Sequence, residues 1–70
     1  MNLAEIQIRL RESIIRSGIT QKDLAKQIGV SPQTVSKYMK HNIFPALDTL
    51  ALICKTIDVS ADYILGLTND

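Results

Sequence analysis

The stretch TQKDLAKQIGVSPQTVSKYM, residues 20–39, decides the fold, because stop and start signals for two helices fall almost on top of one another within it. Thr20 is placed to cap a helix over QKDLAKQI, and Asp23 three residues on forms a capping-box-like pair with it. Gly29 halts that helix after barely two turns, at a point where the backbone needs a positive φ. Ser31 then restarts the chain as an N-cap. Pro32 follows at the first helical position, where its missing N–H costs nothing. Two helices joined by so short a turn must cross sharply. Ala25 has to be small where the second helix passes over it, and Leu24, Ile28, Val30, Val35 and Met39 have to be apolar to lock the angle. Each of these positions carries a residue of the required kind.

Outward from this pair the same punctuation continues. Asn2 caps a first helix bearing Leu3, Ile6, Leu10 and Ile14 at helical spacing, and Gly18 ends it. The third helix runs to about Lys40. His41 to Pro45 form a loop, and Pro45 disfavours helix at the residue before it. A fourth helix from about Ala46 places Leu47, Leu50, Ile53, Cys54 and Ile57 on one face. Asp58 or Ser60 marks the next boundary, Ser60 capping a fifth short helix through Leu65 that Gly66 closes. No segment has strand periodicity. The expectation is an all-α bundle of five helices, with residues 1–67 as one domain and 68–70 as a tail.

Composition agrees. Seventy residues make one small domain, and 46% of them are hydrophobic with no Trp, a mixture suited to close-packed helices. No apolar run approaches a membrane span of ~20 residues, and charged residues interrupt the N-terminus where a signal peptide would need an apolar core. The single Cys54 cannot form an internal disulfide, which fits a reducing cytoplasm, and its apolar neighbours predict a buried structural thiol. Net charge is only +1, but it is unevenly spread. Residues 1–40 carry seven Lys and Arg against three acids, whereas 41–70 carry Lys55 against four aspartates. One part of the molecule therefore suits a polyanion.

Thr20-Gln21, Leu24-Ala25, Gly29-Val30-Ser31, Thr34-Val35-Ser36, Pro45, Leu50, Val59-Ser60 and Tyr63-Ile64-Leu65-Gly66 resemble the Cro and phage-repressor (Xre-like) helix-turn-helix family over residues 5–67. The resemblance implies a five-helix, lambda-repressor-like fold whose third helix enters the DNA major groove, usually in a homodimer on a palindromic operator. It also implies a transcriptional regulator, with double-stranded DNA as partner. At 100° per residue, Val35, Tyr38 and Met39 point to one side of the third helix, and Gln33, Ser36, Lys37 and Lys40 to the other. Gln33 suits the N6 and N7 of adenine, and Lys37 suits the O6 and N7 of guanine. Ser36 lies beside them and Thr34 at the edge, so the base-reading set is Gln33, Thr34, Ser36 and Lys37. The family's phosphate contact at the start of the second helix falls on Gln21. Ser31, Lys40 and Asn42 complete the candidate backbone contacts. Lys22 and Lys26 lie on the exposed side of the second helix, either toward DNA or away from it.

Two features depart from the family pattern. The loop lacks the usual glycine before the proline, so a left-handed turn there falls to His41 or Asn42, while Ile43 and Phe44 either tuck under the fourth helix or protrude. On the first helix, Met1, Ala4, Ile8 and Ile15 form a second apolar stripe, open to a partner or a second subunit. A protein-interaction module, such as an antitoxin with secondary DNA binding, is the alternative reading. An enzyme is not expected: one His, one Cys and no clustered carboxylates provide neither a nucleophile–base pair nor a metal set, and there is no Gly-rich phosphate loop to hold a cofactor.

Overall fold

The computed structural model describes residues 2–69. Its elements are α1 (Leu3–Ser17), α2 (Gln21–Ile28), α3 (Pro32–Lys40), α4 (Leu47–Ile57) and α5 (Ala61–Ile64), with no strand among the described residues. Four of the five N-caps are polar side chains that accept a hydrogen bond from a first-turn N–H: Asn2, Thr20, Ser31 and Ser60. Only Ala46 starts a helix without one. Local chemistry thus sets where most helices begin.

The helices close around one core. Leu10 and Ile14 of α1, Leu24, Ala25 and Ile28 of α2, Val35, Tyr38 and Met39 of α3, Leu50 and Ile53 of α4 and Ile64 of α5 are all buried. Each large aliphatic side chain among them contributes roughly 1.5–3 kcal/mol of burial free energy. α1 packs on α3, α4 and α5, and α2 on α3 and α4. α5 is only four residues long, yet Ile64 is fully enclosed and α1 lies against it. Tertiary contact, not propensity, holds so short a helix.

Several side chains differ from the expected pattern. Leu3 and Leu47 stand out from the core, 60% and 83% exposed, because each lies in the first turn of its helix. Cys54 is half-buried, and burial pushes its thiol above its ordinary pKa. In the loop before α4, Ile43 and Phe44 part ways. Phe44 tucks into an apolar recess with Ile6, Leu10 and Leu50, whereas Ile43 protrudes. Neither His41 nor Asn42 takes a left-handed conformation, and Asp58 is the one described non-glycine residue that does. Instead, the Ile43 N–H donates to the His41 carbonyl at 2.7 Å, a γ-turn centred on Asn42 that reverses the chain at negative φ.

Candidate nucleic-acid interface

The geometry of α2 and α3 follows from the turn between them. Gly29 adopts φ 78°, ψ 30°, and its N–H and that of Val30 both donate to the Ala25 carbonyl, at 2.9 and 3.0 Å. The last turn of α2 is thereby satisfied just as the chain swings away. At the other end of the turn, Ser31 Oγ accepts from the Thr34 N–H at 3.2 Å and pairs with the Thr34 hydroxyl at 2.9 Å. Leu24, Ala25 and Val35, all 1% exposed or less, fill the angle between the helices. Thr20 Oγ1 accepts the Asp23 N–H at 3.1 Å and so caps the start of α2.

With Val35, Tyr38 and Met39 turned inward, α3 leaves Gln33, Lys37 and Lys40 exposed, with Ser36 and Thr34 half-buried beside them. Ser31 and Asn42 are exposed at the two ends of this face, and Gln21 is half-buried at the first position of α2. Lys22 and Lys26 are exposed on α2. The outward side of α3 is polar and cationic, and α3 itself carries no acidic side chain, so it offers hydrogen-bond donors of several lengths to a polyanion. Of the stripe on α1, Ala4, Ile8 and Ile15 are exposed, while Met1 lies outside the described residues. Among those residues no three His, Cys, Asp or Glu side chains converge to hold a metal ion, and no helix is long and apolar enough to cross a membrane.

Two polar residues of α1 escaped the sequence reading, one holding the end of α3 and the other the segment around α5. Gln7 of α1 is buried, and its Nε2 donates to the carbonyls of Tyr38 at 3.1 Å, Lys37 at 3.5 Å and His41. Arg9 donates from Nη1 to the carbonyls of Tyr63 at 2.8 Å and Thr68 at 3.1 Å. The available signal was periodicity: Gln7, Leu10 and Ile14 share one face of α1, and a glutamine on a core face must have partners to satisfy it.

A profile of the helix-turn-helix family matches residues 9–64. The chain is 39% identical over 62 residues to an uncharacterized HTH-type transcriptional regulator, YobD, of Bacillus subtilis (strain 168), covering 89% of this chain and 55% of that protein. It is 34% identical over 58 residues to the HTH-type transcriptional regulator ImmR of the same organism, covering 83% and 46%. The chain thus spans about half the length of the curated relatives it matches. No solved structure matches. Sharp turn, matched profile and named relatives agree: this chain belongs to the Xre-like helix-turn-helix family of transcriptional regulators.

Proposed function

We propose that the chain is the DNA-reading unit of a transcriptional repressor, residues 1–67 forming the domain and 68–70 a tail. It works as a homodimer in the cytoplasm, associated with the nucleoid, on a palindromic operator. α3 lies in the major groove, where Gln33, Thr34, Ser36 and Lys37 meet base edges. Gln21, Ser31, Lys40 and Asn42 meet phosphates and fix the register. Binding to DNA is its whole task, with no catalysed reaction and no cofactor. One observation carries this reading: the outward face of α3 is polar and cationic, while its inward face is clasped at a fixed angle against α2.

Selection of binding sites from random duplex DNA is the test. The expected result is an enriched inverted repeat with half-sites about 34 Å apart centre to centre. Absence of any enriched motif would overturn the proposal. Recovery of single, unpaired half-sites would remove the dimer from it.

A second reading rests on Ile8 and Ile15, 43% and 62% exposed on α1, as a docking stripe for a protein partner or second subunit. Unchanged oligomeric state and unchanged partner binding in Ile8→Lys would dispose of it.

A further inference from the structure

The C-terminus of α3 poses a backbone problem that the chain does not solve in the ordinary way. The last carbonyls of a helix lack intrahelical partners, and a left-handed glycine just beyond them commonly closes the end. Here the C-cap is His41 in extended conformation, φ −119°, ψ 163°, and no described residue of the loop has positive φ. The His41 N–H reaches back to the Lys37 carbonyl at 3.0 Å, but the Tyr38 carbonyl lies one position further on. The donor that meets it comes from another helix. Gln7, 8% exposed, turns its amide NH2 into the end of α3, with the Tyr38 carbonyl at 3.1 Å and the Lys37 carbonyl at 3.5 Å. The His41 carbonyl, which anchors the γ-turn through the Ile43 N–H, accepts from the same group.

We infer that Gln7 is a positioning residue for sequence reading: its amide caps α3 from α1 and thereby sets the axial height and roll of Lys37 and the path of Lys40, His41 and Asn42. The inference deepens the DNA-reading proposal and rests on it. A glycine cap would close the helix without reference to the rest of the fold. A cap donated from α1 instead ties the reading helix to the scaffold, since Lys37 and Tyr38 cannot shift along their axis without losing it. Gln7 itself touches no DNA in this arrangement; it acts through the backbone of residues 37–41. An orphaned buried carbonyl is costly, so α3 is expected to slide or unwind by part of a turn when the amide is removed.

The test uses the whole chain with the operator obtained by site selection, alongside random duplex of equal length. Gln7→Met keeps size and removes both donors. Operator affinity should fall about tenfold while random-sequence affinity changes by less than about twofold, because phosphate attraction needs only net charge whereas base reading needs register. Gln7→Glu supplies the readout that a merely structural role would not move. A carboxylate facing carbonyl oxygens repels them, whereas the protonated acid again offers a donor. Its operator affinity should therefore rise as pH is lowered from 8 to 5, relative to wild type at each pH. His41, Lys37, Lys40 and Tyr38 on the α3 side and Arg11 on α1 are present in both proteins, so wild type is the control for their titration. Circular dichroism at each pH keeps the comparison to folded protein. If Glu at this position prevents folding, the Met variant decides alone. Equal loss on operator and random DNA in Gln7→Met, or superimposable pH profiles in Gln7→Glu, overturns the inference. Failure of the wild-type chain to select any operator overturns the DNA-reading proposal instead, so the two failures are distinct.

Discussion

Arg9 lies over the ring of Tyr63, its guanidinium carbon 4.6 Å from the ring centroid, and its Nη1 also donates to the Tyr63 backbone carbonyl. One side chain thus grips both the face and the backbone of the same residue, and through Thr68 it reaches past the end of α5. A helix of four residues has almost no intrinsic stability, so this grip is what fastens α5 to α1 alongside the burial of Ile64. Tyr63 also acts on Arg16, chiefly holding that guanidinium above its ordinary pKa.

Arg9→Met keeps the aliphatic stem but removes the charge and the donors. A cation–π contact contributes roughly 0.5–2 kcal/mol and a charged hydrogen bond roughly 1.5–3, partly overlapping, so a loss of about 2 kcal/mol is expected. For a domain of this size that is a drop in Tm of roughly 10 °C. Arg9→Lys should recover less than half, since an ammonium lacks the planar fork. Thermal unfolding is the measurement, and a change in Tm below about 2 °C in Arg9→Met would remove the grip from the account.

On the proposed DNA face, Gln33 and Lys40 should fail in different ways. Gln33→Ala is expected to cost roughly 1–3 kcal/mol on the selected operator and to relax base preference at one position, with little effect on random DNA. Lys40→Ala should weaken all sequences alike and lower the slope of log affinity against log salt by about one unit. Fluorescence anisotropy across a salt series separates the two. Equal effects of both variants on both DNAs would contradict the division of labour.

How much of this was legible in the sequence depended on whether the signal was local. Thr20, Gly29 and Ser31 announce their helix ends through chemistry confined to three or four residues, and the structure bears out the five helices those signals imply. The inward set Val35, Tyr38 and Met39 followed from spacing alone. Periodicity could place Gln7 on the core face of α1, but neither its partners nor those of Arg9 were legible, because they lie 30 to 59 residues away and are backbone carbonyls that leave no trace in side-chain pattern. The loop failed for a related reason. The family's usual glycine implied a left-handed turn that here fell to His41 or Asn42, but a donor from α1 meets the end of α3 and a γ-turn at Asn42 turns the chain instead.

Asp58 closes α4 at φ 55°, ψ 52°, a conformation that suits glycine or asparagine better than aspartate, and it sets a carboxylate at the negative end of the helix dipole. Asp58→Asn removes the charge and keeps the tolerance for this backbone, so it should stabilise by a few tenths of a kcal/mol. Asp58→Gly relieves both and should stabilise by about 1 kcal/mol, whereas Asp58→Ala should destabilise. The ranking Gly above Asn above Asp above Ala in chemical denaturation is the expected outcome. Ala ranking at or above Asp would mean that the carboxylate, not the backbone, governs this site.

Ser13 supplies the last case, a polar atom whose removal should help. Its residue is 7% exposed and its Oγ is buried without a hydrogen-bond partner, at the base of a groove between α1, the α4–α5 junction and Tyr63. A serine inside a helix often returns its hydroxyl to the carbonyl one turn earlier, and this one does not. An unpaired buried hydroxyl costs roughly 1–3 kcal/mol, and alanine is also the better helix former by about half a kcal/mol. Against this stands only the loss of one small atom from the packing. Ser13→Ala should therefore raise the free energy of unfolding by about 1 kcal/mol, with operator affinity unchanged because the groove lies away from the outward face of α3. A decrease in stability would mean that the hydroxyl has a partner in solution, most simply a bound water, and Ser13→Cys would then fall between the two.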